Sequence, residues 1–358
     1  MPYPSITINV EKIAQNARTL VEACRAKGIS VMGVTKAACG ELDVARAFCR
    51  GGVDIIGDSR IQNLARFRTA NIEKPLCLLR LPMISEARDV VRLADMSLIS
   101  EVETARAMSK EAVAAGRTHK LILMADMGDL REGILPQKIL HTAKIFADLP
   151  GLELFGLGTN FACYGGVLPT TEKLTALVNL AQKIRRETGC AMPVVSGGNS
   201  ADLYLLPDGI PEGVNQLRLG EGILLGRETS FRQPVLGAAL DAFMLHGEII
   251  ELQEKPSMPD GLLGTDAFGQ SPVFVDKGMR QRAIVALGRH DVIIEGLTPE
   301  DQGAEIIGAS SDHLLVDVTE VQRPLGVGSI LKFELQYGAL ISAMMSSYVT
   351  KVIIGRGF

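Results

Sequence analysis

Residues 31–57 contain three pieces: Val31-Met-Gly-Val-Thr-Lys36, Leu42-Asp-Val-Ala-Arg-Ala-Phe-Cys49 and Val53-Asp-Ile-Ile-Gly57. The outer two are short apolar runs without alternation, which is how strands buried on both faces read. The middle piece carries apolar residues at helical spacing. Two buried strands joined through a helix lie parallel in one sheet.

The unit repeats along the chain. Beyond it come a helix from Ile61 to Arg68, the run Leu76-Cys-Leu-Leu, a helix from Ser85 to Leu93, and Met96-Ser-Leu-Ile. Next are a helix from Glu101 to Ala115, Leu121-Ile-Leu-Met-Ala, a helix from Gln137 to Leu149, and Glu153-Leu-Phe-Gly. The series closes with a helix from Thr171 to Glu187, Met192-Pro-Val-Val, a short helix from Ser200 to Leu205, and Gln216-Leu-Arg-Leu. Eight strands separated by helical segments fit an N-terminal (β/α)8 barrel better than an open sheet. From about Phe243 the pattern changes to apolar–polar alternation punctuated by Gly and Pro. Examples are Glu248-Ile-Ile-Glu-Leu, Pro272-Val-Phe-Val, Ala283-Ile-Val-Ala-Leu, His313-Leu-Leu-Val-Asp-Val and Ile330-Leu-Lys-Phe-Glu-Leu. These runs predict a mainly antiparallel β domain. The expected domains are residues 1–235 and 236–358, with the first ten or so residues pairing into the second.

Composition narrows the function. Over 358 residues, 37 Lys+Arg stand against 41 Asp+Glu, a formal charge of −4. Binding nucleic acid needs a clustered basic surface, and no basic run is present. No uncharged apolar stretch approaches the roughly 18–20 residues of a membrane span, and Met1 to Val10 lacks the plan of a signal peptide. The expected location is the cytoplasm. The six cysteines include no C-x-x-C pair and read as reduced thiols. The five histidines show no ligand spacing, so no metal is expected.

A (β/α)8 barrel places its active site at the C-terminal ends of the strands. There stand Lys36, Asp58, Arg80, Ser100, Asp126 with Arg131, Thr159 with Asn160, Ser196 to Ser200, and Arg218 to Glu221. Lys36 follows a wholly apolar strand. Burial lowers a lysine's pKa, which suits an imine-forming amine, although such a lysine also serves as a phosphate or carboxylate ligand. The glycine-rich turns Ser196-Gly-Gly-Asn-Ser and Gly220-Glu-Gly offer backbone amides of the kind that cradle phosphate. An amine on the first strand facing a phosphate cup on the last two can hold a phosphorylated aldehyde.

The stretch Val34-Thr-Lys36-Ala resembles the lysine motif of the alanine racemase family, enzymes that use pyridoxal 5′-phosphate (PLP). Asp126-Met-Gly-Asp-Leu-Arg131-Glu-Gly, Gly156-Leu-Gly-Thr-Asn-Phe-Ala, Asn199-Ser200, Arg218-Leu-Gly220 and Ser311-Asp312-His313 extend the likeness along nearly the whole chain. The ornithine racemase branch is the nearest, through Asp58-Ser-Arg-Ile, Leu79-Arg-Leu-Pro-Met-Ile-Ser and Gly308-Ala-Ser-Ser-Asp-His. The resemblance implies interconversion of L- and D-ornithine by a head-to-tail homodimer. Lys36 would carry PLP and act as one acid/base. Ser200 and the amides of Gly220 and Glu221 would hold the phosphate, Arg218 would face the pyridine nitrogen, and Asn160 and Asn199 would line the cofactor. Arg131 would bind the PLP hydroxyl or the substrate carboxylate, and Asp312 the substrate.

The chain departs from the family's pattern in four places. Cys39-Gly40 stand where the family has a phosphate-binding tyrosine, Asn160 replaces a histidine, and Met124 replaces a lysine that props the arginine. The second-domain tyrosine that acts as the other acid/base is missing from Gly261–Gly269, where Asp266 is the best chemical substitute and His246 the next. Asp129, Asp312, Glu221 and Asp266 are candidates to receive a distal ammonium. Alternatives are a racemase for alanine, serine or lysine, and a non-catalytic PLP-binding homeostasis protein.

Overall fold

The computed structural model describes residues 2–265, 268, 269, 271 and 273–356. The chain forms two compact units, Val10–Leu240 and, separately, Met1–Asn9 with Asp241–Arg356. This division falls a few residues beyond the 235/236 boundary read from the sequence. The first strand, β1 (Ser5–Asn9), belongs to the second unit.

In the first unit, eight parallel strands close into a barrel in chain order: β2 (Ser30–Val34), β3 (Ile55–Asp58), β4 (Leu76–Leu78), β5 (Met96–Ile99), β6 (His119–Met124), β7 (Leu152–Gly158), β8 (Val194–Gly198) and β9 (Gln216–Leu219). Pairing of β9 with β2, Met32 beside Arg218, completes the ring. Alternate side chains fill the interior: Met32, Ile55, Cys77, Met96, Leu98, Ile122 and Met124 are buried together. Gly33 is required by close packing of the helix over its strand. A Cβ there would lie 2.4 Å from Phe48 Cδ2. Helices occupy the expected stretches, including Leu42–Arg50, Val102–Ala114 and Thr171–Thr188.

One helix precedes the barrel strands and was not anticipated, Val10–Arg25, which buries Ile13, Ala17, Leu20 and Val21. Its buried Asn16 donates to Ile223 O (3.0 Å) and Ala239 O (2.9 Å) and accepts from Ala239 N (2.7 Å). These bonds tie the unit's first helix to its last turns.

The second unit is a sheet built on the long strand β10 (Phe243–Pro256). The others are β11 (Met279–Val285), β12 (Leu297–Pro299), β13 (Glu305–Ala309), β14 (Leu314–Asp317), β15 (Ile330–Leu335) and β16 (Thr350–Ile354). Their order is β12-β15-β10-β11-β14-β13, with β1 paired to β10 and β16. The β1–β16 pair is parallel and the rest antiparallel. The sequence expectation of a strand at Pro272-Val-Phe-Val is not met. Val273–Val275 are exposed and outside any strand, and Pro272 lies outside the described residues. Both neighbours of β11 in the sheet are already supplied by β10 and β14. Among the described residues no helix is long and apolar enough to cross a membrane.

Candidate active site

The C-terminal ends of the barrel strands bring most of the expected polar residues together. Lys36 opens a 3-10 turn, Lys36–Ala38, directly after β2. The residue before it is fixed from β3: Thr35 Oγ1 donates to Gly57 O (3.3 Å) and to Asp58 Oδ2 (2.6 Å). Asp58 is buried and accepts further bonds from the Arg60 amide (2.9 Å) and Asn63 Nδ2 (2.8 Å). Burial pushes its carboxyl up, and the bonds from Thr35 and Asn63 oppose that. Asp58 therefore anchors the backbone that carries Lys36.

The Lys36 amine is held below the ordinary lysine range, first by burial and then by the Arg131 guanidinium; Arg218 adds to this, while Cys163 and Glu132 oppose it. Four charged or titratable neighbours from three other strand ends thus act on one amine.

The segment after β6 is a pinched loop. Ala125 pairs with Ile134, Asp126 N bonds Ile134 O (3.0 Å), and Ile134 N returns to Met124 O (2.9 Å). Inside it, Asp126 Oδ1 accepts from the amides of Gly128 (2.8 Å) and Leu130 (3.2 Å). Gly133 closes the pinch at φ +125°, where a Cβ would sit 2.6 Å from Asp126 N and 2.8 Å from Ala125 C. Gly133→Ala is expected to cost about 2–3 kcal/mol in stability from strain and backbone clash. It should also displace Arg131 and Glu132. Chemical denaturation together with turnover measures both, and unchanged values for the two would refute this role.

Arg131 Nε donates to Glu132 Oε2, and Arg131 Nη2 to Glu132 Oε1 (2.5 Å). Asn160 Nδ2 also donates to Glu132 Oε1. Asn160 Oδ1 in turn accepts from Arg218 Nη2 (2.6 Å), which also reaches Thr159 O (2.5 Å), while Arg218 Nη1 donates to Ser196 Oγ. A bonded row thus runs Arg131–Glu132–Asn160–Arg218 across the ends of β6, β7 and β9. Sequence reasoning quoted Glu132 within the loop but gave it no role.

On the far side, Asn199 caps the turn Ser200–Leu205, accepting from Ala201 N (2.7 Å). Asn199 Nδ2 donates to Phe161 O (2.8 Å) and Cys163 Sγ (3.2 Å). Ser200 Oγ accepts from the amides of Gly220 (3.3 Å) and Gly222 (3.0 Å). The amides that converge on Ser200 are thus those of Gly220 and Gly222. Below this turn, Asp202 is buried with its carboxyl pushed up to about 8 by desolvation.

Two candidates for a distal ammonium have other work. Asp129 is buried and accepts from the amides of Cys163 (3.2 Å), Tyr164 (3.0 Å) and Val167 (3.4 Å), stapling the loop after β7. Glu221 Oε2 accepts from Thr229 Oγ1 (2.9 Å), and burial pushes its carboxyl up. In the second unit, Asp312 is exposed, accepts from Ser311 Oγ (2.8 Å) and lies 3.3 Å from His290 Nδ1. His246 lies within β10 opposite Ser5, 3.1 Å from Thr7 Oγ1. Asp266 lies outside the described residues.

The donor set at the barrel mouth fits a phosphorylated aldehyde. An amine with a depressed pKa can attack a carbonyl, two guanidiniums offset negative charge, and the Ser200 hydroxyl, whose oxygen accepts from two amides, keeps its own O–H to donate to an anion. Thr159 Oγ1 is buried there with no hydrogen-bond partner among the described residues, a donor available to a bound group.

A parallel eight-stranded barrel with a strand-end lysine in a cationic mouth, followed by a β unit, defines the class. Residues 8–227 match the family model "Alanine racemase, N-terminal domain". An ornithine racemase from Acetoanaerobium sticklandii is 42% identical over 354 residues, covering 98% of this chain and 100% of its own. A lysine racemase from Thermotoga maritima is 42% identical over 353 residues, covering 98% and 99%. An alanine racemase from Bartonella henselae, solved with covalently bound pyridoxal phosphate, shares the fold with a TM-score of 0.74 at 16% identity, covering 99% and 100%. The chain belongs to the alanine racemase family and is an amino-acid racemase, an isomerase.

Proposed function

We propose that the chain interconverts L- and D-ornithine with PLP as cofactor, working as a homodimer. The observation that carries the substrate class is the full-length 42% identity to two relatives named for ornithine and lysine. Both are amino acids with a distal ammonium. Bound PLP supplies a carbonyl that captures amines and withdraws electrons from the substrate's α-carbon.

The chain's own residues do the rest. Lys36 Nζ holds the cofactor and then moves the α-proton on one face. Ser200 Oγ with the amides of Gly220 and Glu221 grips the phosphate, and Asn160 and Asn199 fix the polar edge of the site. Arg218 would face the pyridine nitrogen of the bound group. A guanidinium stays protonated, so it donates to that nitrogen rather than protonating it. This limits electron withdrawal to what α-proton exchange needs. Arg131 presents its guanidinium to the cofactor hydroxyl or the substrate carboxylate. A second-domain residue, Asp266, serves the opposite face, contributed by the partner subunit.

For the distal ammonium, Asp312 is the proposed acceptor. Asp129 and Glu221 are committed to the loop and to Thr229, whereas Asp312 is exposed. Its carboxyl is held below the usual range, first by the Ser311 hydroxyl, so it stays ionised at neutral pH.

The test is a panel of single enantiomers of ornithine, lysine, alanine and serine in D2O, read by α-proton NMR and chiral chromatography. Ornithine is expected to lead lysine by about tenfold or more in kcat/KM, the effect of one methylene. Alanine and serine should trail by far more, because a carboxylate placed for an ammonium is left unpaired. Lysine ahead of ornithine would move the assignment to lysine, and alanine ahead of both would overturn it.

A further inference from the structure

We propose that Glu132 is a positioning residue: its carboxylate binds Arg131 directly and Arg218 through Asn160, locking both guanidiniums into one bonded row across the barrel mouth. The inference rests on Arg131 and Arg218 facing the cofactor, and it adds the residue that keeps them there.

The geometry carries it. Three cations, Lys36, Arg131 and Arg218, converge on the mouth, and like charges at short range repel. Glu132 is the anion placed among them, its side chain only 15% exposed. Oε2 accepts from Arg131 Nε, and Oε1 from Arg131 Nη2 and Asn160 Nδ2. Three of its about four lone-pair sites are thereby filled, so it does not serve as a receptor for a substrate ammonium. Adjacent side chains in a regular strand point to opposite faces. Here they meet because the backbone turns at Leu130 (φ +56°) and Gly133 (φ +125°). Asn160 acts as relay, because its amide donates to the carboxylate while its carbonyl accepts from Arg218. An amide can do both at once, and an ionised carboxylate could not.

Glu132→Gln preserves shape and removes the charge, and it places an NH2 against donors. With ornithine and PLP-loaded enzyme, kcat/KM is expected to fall about 10²-fold, the scale of a misplaced catalytic group. The loss should appear mainly in kcat, with Tm unchanged. Glu132→Asp should restore at least about tenfold of that.

A second readout needs no cofactor or turnover: the pH at which Lys36 of the PLP-free full chain is half-methylated by formaldehyde and borohydride, quantified by mass spectrometry. The charged groups acting on Lys36 are Arg131, Arg218, Glu132 and Cys163. Removing the anion should lower that midpoint, and Arg131→Met should raise it. An unmoved midpoint together with kcat/KM within about threefold of wild type would overturn the proposal. Should wild type turn over none of the panel while the Lys36 midpoint shifts as expected, the ornithine reading fails and the Glu132 row stands.

Discussion

Lys36→Ala is expected to lower racemisation by about four orders of magnitude or more and to replace the absorbance of the PLP-loaded protein by that of free PLP. Two functions would end together, since in the proposed mechanism the amine that anchors the cofactor also moves the α-proton. Lys36→Arg should fare no better, although it keeps the charge. A guanidinium stays protonated at any working pH and has no lone pair to offer. Small primary amines such as methylamine should restore part of the proton transfer in Lys36→Ala, because they fit the space vacated. The barrel itself should not suffer. The folded-state pKa of Lys36 is depressed by burial and by Arg131, so its ammonium destabilises the fold. That cost is present in full below the folded pKa and fades as pH rises from there toward the unfolded value. Lys36→Met therefore melts no lower than wild type at neutral pH. A variant that keeps more than about a tenth of wild-type turnover without added amine would remove Lys36 from the mechanism.

The barrel was legible because parallel strands covered on both faces leave a signal that survives in one sequence. Runs such as Val31-Met-Gly-Val and Leu121-Ile-Leu-Met have no polar alternation, and the helices between them repeat at 3.6 residues. Val10–Arg25 was equally readable, since its buried apolar residues 10, 13, 14, 17, 20, 21 and 24 keep the same period. It stands outside the strand–helix–strand alternation, because it precedes the first barrel strand and completes no such unit. The β unit was less legible. Val273–Val275 has the composition of a strand, yet pairing depends on which sheet edges are open, and composition carries no information on that.

At the site, the residue types that react were visible and the bonds between them were not. Lys36 stands out as a charge directly after an apolar strand, Arg131 in the loop after β6 and Arg218 within β9. Glu132 reads as an ordinary loop carboxylate until the backbone turns at Leu130 and Gly133 bring it beside Arg131 and Asn160. Asp129 shows the converse. Its place in the motif made it a candidate ligand, yet three loop amides occupy it.

Asp266→Asn should cut racemisation by about two to four orders of magnitude, the usual scale for loss of a general acid/base. It should leave PLP binding intact. Inversion requires a proton acceptor on one face of the α-carbon and a donor on the other, and Lys36 can serve only one of them. The family's second group is a tyrosine, and the stretch Gly261–Gly269 has none; Asp266 is its only titratable residue. His246 is the weaker substitute. It sits in β10 opposite Ser5 within its own sheet, beside the Thr7 hydroxyl, and burial and Lys332 both disfavour its charged form. The isosteric amide separates proton transfer from shape. In D2O, Asp266→Asn given the enantiomer whose α-proton faces Lys36 should still exchange that proton with retention of configuration. The opposite enantiomer should neither exchange nor invert. Wild type, in contrast, should exchange and invert both. His246→Gln should leave all of these rates close to wild type. Full racemisation by Asp266→Asn would shift the second acid/base elsewhere. Cys163 would come next, because its thiol is coupled electrostatically to both Lys36 and Arg131 and can be tested as Cys163→Ser in the same assay.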